Sequence, residues 1–193
     1  MTTLTAPHNT GRLVEKPTFA KTIVPRLESA SRSTNLFGYV WAGLRLSLGW
    51  VFLWAFLDKL FGLGFATEAG KGWIDGGSPT AGFLSFGTSG PLAGFYSGLA
   101  GNAAVDWLFM LGILAIGLPL MLGIGVRLAA SIGVVMLLMM YSALLGPANN
   151  PILDDHIIYA LIMLGLVINP ANHLSPAGWW EKTRLVNKYP ILK

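Results

Sequence analysis

The chain contains no cysteine and few charged residues. Its 193 residues include 13 lysines and arginines and 9 aspartates and glutamates, so only 11% are charged. The absence of cysteine excludes disulfides, thiolate nucleophiles, iron–sulfur clusters and zinc sites with cysteine ligands. Soluble domains carry roughly 25% charged residues, whereas 53% of this chain is hydrophobic and its mean hydropathy is +0.60. We therefore predict an integral membrane protein.

Histidine is also scarce, and its positions exclude a bis-histidine haem site. His156 and His173 fall at opposite ends of one predicted helix, and His8 falls in the N-terminal tail. The chain has no phosphate-binding loop, no dinucleotide-binding glycine signature and no metal-ligand pattern. We predict no metal site, no cofactor bound by this chain alone and no binding of nucleic acid. The sequence assigns no catalytic residue.

Four apolar stretches are long enough to cross a membrane as helices, since about 20 residues span the hydrocarbon core. The second and third, 107–126 and 128–145, contain no charged residue. The first contains Arg45, and the fourth opens on a polar group of two aspartates and a histidine. The sequence predicts an all-α, four-helix transmembrane bundle. The predicted spans are about 36–61, 106–126, 127–146 and 152–169.

Lysine and arginine flank these spans unequally, which predicts their orientation. On one side of the membrane they are Arg12, Lys16, Lys21, Arg26, Arg32, Arg127, Lys182, Arg184, Lys188 and Lys193. The other side holds six acidic residues and two lysines, namely Asp58, Glu68, Asp75, Asp106, Asp154, Asp155, Lys59 and Lys71. We therefore predict that both termini are cytoplasmic.

Two tails flank the predicted membrane domain, 36–170. The N-terminal tail, 1–35, lacks the apolar core of a signal peptide, so we expect an uncleaved cytoplasmic tail. Pro17 and Pro25 should prevent one continuous helix in it. The C-terminal tail, 171–193, combines paired tryptophans with a basic stretch, which is typical of a segment lying on the cytoplasmic face of a membrane. Docking to a partner protein suits both tails equally well.

The outer loop, 62–105, connects the first two spans and is rich in glycine and aromatic residues. Connections this long are usually functional or disordered, and the aromatic content argues against disorder. Ser78-Pro79 and Gly90-Pro91 each resemble a helix cap followed by proline, so we expect two short interfacial helices. The GxxxG spacing of Gly94 and Gly98 would allow close helix contact. The alternative is a lid that only plugs the bundle.

Charged residues inside the first span need partners. Arg45 either extends to the cytoplasmic headgroups or faces the bundle interior. Lys59 follows close to four turns later, on nearly the same face, whereas Asp58 is turned about 100° away from it. An unpaired ammonium at this depth would be costly. We therefore predict a salt bridge from Lys59 to Asp106, Asp154 or Asp155.

These residues form the candidate site, with an aromatic lining beside it. Its polar members are Arg45, Asp58, Lys59, Asp106, Asp154, Asp155, His156 and Tyr159. The aromatic lining is Trp50, Trp54, Phe56 and Trp73. The polar cluster either clamps the helices or handles protons or a ligand at the membrane boundary, where His156 would titrate near neutrality. Apolar and aromatic walls with a few polar groups are also what a quinone or lipid site needs.

Two segments carry a family resemblance. RLSLGWVFLWAFLDK (45–59) and WIDGGSPT (73–80), with the basic turn at Arg127 and the DH…Y opening of the last span, resemble the DoxX/DoxD family of bacterial and archaeal membrane proteins. The resemblance covers roughly 36–170. It implies a four-helix membrane bundle in a prokaryotic cytoplasmic membrane that works with redox partners, as in thiosulfate:quinone oxidoreductase. Arg45 and Lys59 match the family's cationic positions and are candidate site residues on that ground.

We therefore expect an integral subunit of a redox or respiratory assembly that is not catalytic by itself. Its expected partners are membrane lipids and other subunits, a homo-oligomer is compatible with the sequence, and a quinone or lipid would bind near the outer face. One alternative is the quinone-reacting subunit of an oxidoreductase, with Asp155 or His156 moving protons. The other is a purely structural scaffold. The predicted outer side has six acids and two bases, a net charge of −4, which would repel thiosulfate.

Overall fold

The computed structural model describes residues 19–147, 150 and 152–192. Over these residues the chain is helical, and its β-structure is limited to one isolated bridge between Ser89 and Leu144. Tertiary contacts divide the chain into two compact units between Leu36 and Phe37. The packing and sites described below belong to the second unit, Phe37–Lys193.

Seven α-helices are assigned in the described residues. They are α1 (Phe19–Phe61), α2 (Ala93–Ser97), α3 (Ala103–Leu122), α4 (Val126–Ala143), α5 (Asp155–Ile168), α6 (Ala177–Trp180) and α7 (Arg184–Lys188). Short 3-10 helices cover Trp73–Asp75 and Pro190–Leu192, and a π-helix covers Phe83–Gly87. Three segments are long and apolar enough to cross a membrane: Asn35–Phe61, Ala103–Leu122 and Val126–Ala143. These segments indicate a membrane protein, and α5 is a further apolar helix of 14 residues.

Helix α1 begins at Phe19 and continues through Pro25. The prediction that Pro25 would prevent a continuous helix there is therefore wrong. A proline removes one backbone hydrogen bond and crowds the preceding turn, at a cost of about 3 kcal/mol. The hydrogen bonds of the residues on both sides remain available, so one proline near the start of a long helix does not have to end it. Pro17 lies outside the described residues.

Glycines allow α1 to pack closely against α3. A Cβ atom on Gly117 of α3 would lie 2.5 Å from the backbone nitrogen of Leu53. A Cβ atom on Gly49 of α1 would lie 2.8 Å from the backbone nitrogen of Met121. The pairing of 49 with 121 and of 53 with 117 shows that the two helices are antiparallel. Small residues at both positions let the backbones approach, as is common in membrane helix pairs.

The other side of α1 packs against α5. A Cβ atom on Gly165 would lie 2.6 Å from the ring of Trp41, and the Trp41 indole nitrogen donates a hydrogen bond to the carbonyl of Asn169 at 2.7 Å. Helix α4 contacts both α3 and α5. The contacts therefore run from α1 to α3, α4, α5 and back to α1. Their shared core contains the fully buried residues Met110, Ile116, Leu120, Met163 and Leu166.

The outer loop contains two short helical segments, the π-helix Phe83–Gly87 and α2. Upstream of the first, the Ser78 side chain accepts a hydrogen bond from the backbone of Ala81 at 3.1 Å, as a capping residue does. Helix α2 is preceded by Leu92, so it begins later than the Gly90-Pro91 pair predicts.

The predicted close contact at Gly94 and Gly98 is absent from the described part of the chain. A Cβ atom on Gly94 would have no neighbour within 4 Å, and one on Gly98 would meet only carbonyls of its own turn. The spacing would allow close helix contact, but α2 has only five residues, and its described contact with the π-helix Phe83–Gly87 does not bring another backbone against these glycines.

Candidate functional site

Asp58 lies in the last turn of α1 and fastens the first part of the outer loop. Its side chain is 1% exposed. Its carboxylate accepts backbone hydrogen bonds from Thr67 at 2.8 Å and Phe65 at 3.3 Å. Gly62 ends the helix with a positive φ of 62°, which turns the chain back over this carboxylate. The backbone donors compensate the loss of water around the buried charge.

Asp106 lies in the first turn of α3 and fastens the middle of the same loop. It is 6% exposed, as is Thr80. One carboxylate oxygen of Asp106 accepts hydrogen bonds from the Ser78 hydroxyl at 2.9 Å, the Thr80 hydroxyl at 2.5 Å and the Thr80 backbone at 3.2 Å. Asp106 therefore holds the loop against the start of α3.

The predicted salt bridge from Lys59 is not formed. Among the side chains that the structure describes, in 35–147, 150, 152–190 and 192, the ion pairs within 4.0 Å join Lys71 to Glu68 and His156 to Asp154. The prediction assumed that the Lys59 ammonium would pair with a carboxylate on another helix. In the structure, loop N–H and hydroxyl groups reach the buried carboxylates, so these acids do not need the lysine. Lys59 is half-buried and lines a cavity instead.

The cavity has a volume of about 620 Å³ and is open to the surface. It lies between the part of the outer loop that Asp58 holds and the part that Asp106 holds. Thr67, held by Asp58, and Ser78, held by Asp106, both line it. Its charged lining comprises Lys59, Lys71, Glu68 and Asp75, and its apolar lining includes Ala66, Pro79 and Phe83. The two buried carboxylates thus hold the walls of a polar cavity that presents the Lys59 amine.

Glu68 and Lys71 form an ion pair of 2.6 Å at the rim of this cavity. Their side chains are 75% and 69% exposed, respectively. The hydrogen bond from Lys71, and then its charge, lower the pKa of Glu68 from its ordinary value. Because both groups are exposed to water, this pair contributes little to folding.

The polar residues at the start of α5 form a separate group. Asp154 caps the helix by accepting a hydrogen bond from the Ile157 backbone at 3.2 Å, and its other oxygen lies 2.7 Å from His156 Nδ1. Asp155 is exposed, and Tyr159 packs against the core. None of these candidates is among the residues that line the cavity. The structure therefore divides the predicted cluster.

Arg45 lies at the opposite end of the ring of helices and faces its interior. It is 0% exposed. Its Nη1 donates to the carbonyl of Leu120 at 2.5 Å, and its Nη2 donates to the carbonyls of Leu174 at 3.2 Å and His173 at 3.3 Å. The alternative in which Arg45 extends to the headgroups is therefore wrong. With a rise of 1.5 Å per residue, Arg45 and Lys59 are about 20 Å apart along the helix and belong to different sites.

The four predicted lining aromatics do not form one wall beside Lys59. Trp50 is 49% exposed and lies 5.7 Å from Trp54, whose ring lies 5.1 Å from that of Phe65. Phe56 and Trp73 instead pack against the core. Among the described residues that line the cavity, the aromatic one is Phe83.

Sequence reasoning missed the side chains that hold the loop to the helices. The Thr67 and Thr80 contacts to the carboxylates are the first of these. A second set joins the loop to α4, where the Tyr96 hydroxyl lies 2.5 Å from the Ser142 hydroxyl and the Ser89 backbone donates to Ala143 at 2.9 Å. The sequence signal that could have predicted these contacts is the hydroxyl residue on each side of Pro79, in a loop rich in glycine and aromatic residues. Hydroxyls in such a setting predict a buried acceptor.

Comparisons with family models, with curated proteins and with solved structures gave no match to this chain.

Proposed function

We propose that this chain is a multi-pass subunit of a membrane redox or respiratory assembly, of the DoxX/DoxD type, that does no chemistry by itself. In this proposal the protein crosses a prokaryotic cytoplasmic membrane four times, with both termini cytoplasmic. The chain contains no cysteine. Within the described residues, no group of three or more histidine, aspartate or glutamate side chains is placed to hold a metal ion. In this proposal, electron transfer is carried out by a partner subunit.

Exposed apolar side chains on α5 support a fourth crossing. Ile158, Leu161, Leu164 and Ile168 are between 48% and 75% exposed. A helix of 14 residues is about 21 Å long, which is shorter than the hydrocarbon core of about 30 Å. The apolar residues just before α5, Ile152 and Leu153, are also exposed. Lipid around the helix and the segment before it would cover these side chains.

The single observation that carries the functional proposal is the cavity that Lys59 lines. The cavity lies between two loop segments that buried acids hold in place. It presents the Lys59 amine, which has no carboxylate within 4.0 Å among the described residues. We propose that a quinone head group binds there. Lys59 would donate a hydrogen bond to a ring carbonyl oxygen, and Pro79 and Phe83 would flank the ring. The apolar members of this polar cavity would contact the ring, and Lys59 would supply the directed polar group that such sites contain.

The test is mass spectrometry of the tagged protein extracted gently from its native membranes, scoring quinone and co-purifying chains together. Wild type should retain quinone, and Lys59→Met should retain at least 10-fold less quinone than wild type. Lys59→Arg preserves a donor and should retain part of the binding. Asp155→Asn changes a charge at an exposed position away from the cavity and should bind as wild type.

The same samples distinguish the alternatives. If respiratory subunits co-purified in stoichiometric amount without quinone, the chain would be a structural scaffold. The observation that supports this alternative is the attachment of the outer loop to α1, α3 and α4. Quinone together with loss of quinone-linked turnover in His156→Ala would favour the quinone-reacting subunit. If neither quinone nor redox partners were found, the redox proposal would be wrong.

A further inference from the structure

The segment after α5 folds into an ordered unit against the start of α4. Thr183 caps α7, and Val186 of that helix is 0% exposed. The indole nitrogen of Trp180 donates to the carbonyl of Leu192 at 2.8 Å, which ties α6 to the last 3-10 helix. That 3-10 helix contacts α4. The outward side chains of α6 and α7 therefore have defined positions.

The outward surface of this unit combines exposed apolar side chains with cations. Trp179, Leu185 and Tyr189 are 70%, 50% and 47% exposed. Lys182, Arg184, Lys188 and, at the start of α4, Arg127 are exposed as well. Residues 170–192 contain a single acidic residue, Glu181, so with Arg127 the surface holds four cations and one anion. We call these residues together the C-terminal basic surface.

We propose that the C-terminal basic surface binds the phosphate groups of anionic phospholipids. The surface adjoins the turn between α3 and α4, two helices of spanning length, so it lies at the boundary of the hydrocarbon core. Tryptophan and tyrosine are enriched at that depth. Clustered lysine and arginine beside a membrane helix recognise anionic headgroups. A lipid therefore satisfies both the apolar and the charged members of the surface, whereas a nucleic acid would leave Leu185 in water.

This inference depends on the membrane location but not on the Lys59 cavity, which lies at the other end of the helices. The experiment uses the full chain in neutral detergent, titrated with short-chain phosphatidylglycerol and, in parallel, phosphatidylcholine. Bound lipid is counted by native mass spectrometry. Wild type should bind phosphatidylglycerol in preference, and the preference should fall as salt is raised, because exposed charges are screened.

Two triple variants separate charge from fold. Replacing Lys182, Arg184 and Lys188 by glutamine should weaken phosphatidylglycerol binding about 100-fold, given the contribution of each cation near a membrane. Exchanging lysine for arginine and arginine for lysine at the same positions retains the charge and should retain the binding. Trp179→Ala should weaken binding of both lipids.

Three outcomes would overturn the proposal. One is equal binding of both lipids by wild type, and another is unchanged phosphatidylglycerol binding in the glutamine variant. The third is displacement of the lipid by millimolar inorganic phosphate, which would make this a free-anion site. Should the glutamine variant unfold, the salt dependence and lipid preference of wild type decide the question alone. Loss of quinone from Lys59→Met with lipid binding intact would show that the two sites are independent.

Discussion

The end of the molecule near Asp58 and the end near Arg45 both bury charged side chains, but they satisfy them with opposite backbone groups. At the first end, two carboxylates accept hydrogen bonds from N–H and hydroxyl groups of the outer loop. At the second, one guanidinium donates to carbonyls at the end of α3 and in the segment after α5. In these contacts a backbone dipole or hydroxyl takes the place of a countercharge.

The position of each group along its helix explains the difference. The last carbonyls of a helix lack partners within the helix and carry a partial negative charge, so a cation is favourable beside them. Leu120 is in the last turn of α3 and is bound by Arg45 in this way. The outer loop instead brings unpaired N–H groups to the carboxylates. Buried charges here join chain segments, and Lys59 remains available to the cavity.

The largest effect should come from Asp106→Ala. It removes the acceptor of three hydrogen bonds and leaves Thr80, which is 6% exposed, without a partner. Hydrogen bonds to a charged group contribute about 1.5–3 kcal/mol each and are not additive, so we expect a loss of about 4 kcal/mol in the free energy of unfolding. Chemical unfolding in detergent measures it. Asp155→Asn, an exposed acid, is the control, and equal effects of the two would contradict the assignment.

Arg45→Met should cause the next largest loss in the free energy of unfolding. The variant removes three hydrogen bonds from the Arg45 end, but it also removes a buried charge that is costly to desolvate. We expect a net loss of about 2–3 kcal/mol. Arg45→Lys, with a single ammonium, should recover only part of it, since it lacks the planar fork. Full recovery with lysine would show that charge alone matters at this end.

An effect close to that of Arg45→Met should come from Gly123→Ala. Gly123 has a φ of 69°, and a Cβ atom there would meet Arg45 and Ser175. Gly101 has a φ of 76° and open space around it, so Gly101→Ala measures the backbone strain alone, about 1–2 kcal/mol. Gly123→Ala should cost about 1 kcal/mol more through overpacking, because the atoms that its Cβ would meet belong to side chains that can shift. Thermal unfolding of both variants makes the comparison. If they lost the same stability, Arg45 would have room to move.

The smallest effect should come from Glu68→Gln at the cavity rim. The pKa of Glu68 is lowered in the folded state, so its contribution is present above the ordinary glutamate pKa and is lost as the pH falls through the folded value. The pair is exposed, so neither the substitution nor this titration should move the unfolding midpoint measurably. A clear shift of the unfolding midpoint in either experiment would show that the Glu68–Lys71 pair, and not only the buried Asp58 and Asp106, stabilises this end of the molecule.

The long apolar helices were predictable from the sequence, whereas the path of the chain at Pro25 and the partners of Lys59 were not. Composition and unbroken apolar runs are local properties, and they predicted helices of spanning length at α3 and α4. The continuous helix through Pro25 was missed, since a rule about one residue cannot weigh the hydrogen bonds of its neighbours. The Lys59 bridge was wrong for a related reason: the sequence shows charges but not which loop backbone reaches them.

What the sequence by itself determined about this protein is its apolar character, its helices and the depth of Arg45, Asp58 and Asp106 along them. These follow from residue type and from the fixed rise of a helix. The tertiary structure alone decided which partner each charge meets. Thr67 is nine residues from Asp58, and Thr80 is 26 residues from Asp106. Such contacts depend on the path of an irregular loop, which no periodic pattern encodes, and that path created the cavity beside Lys59.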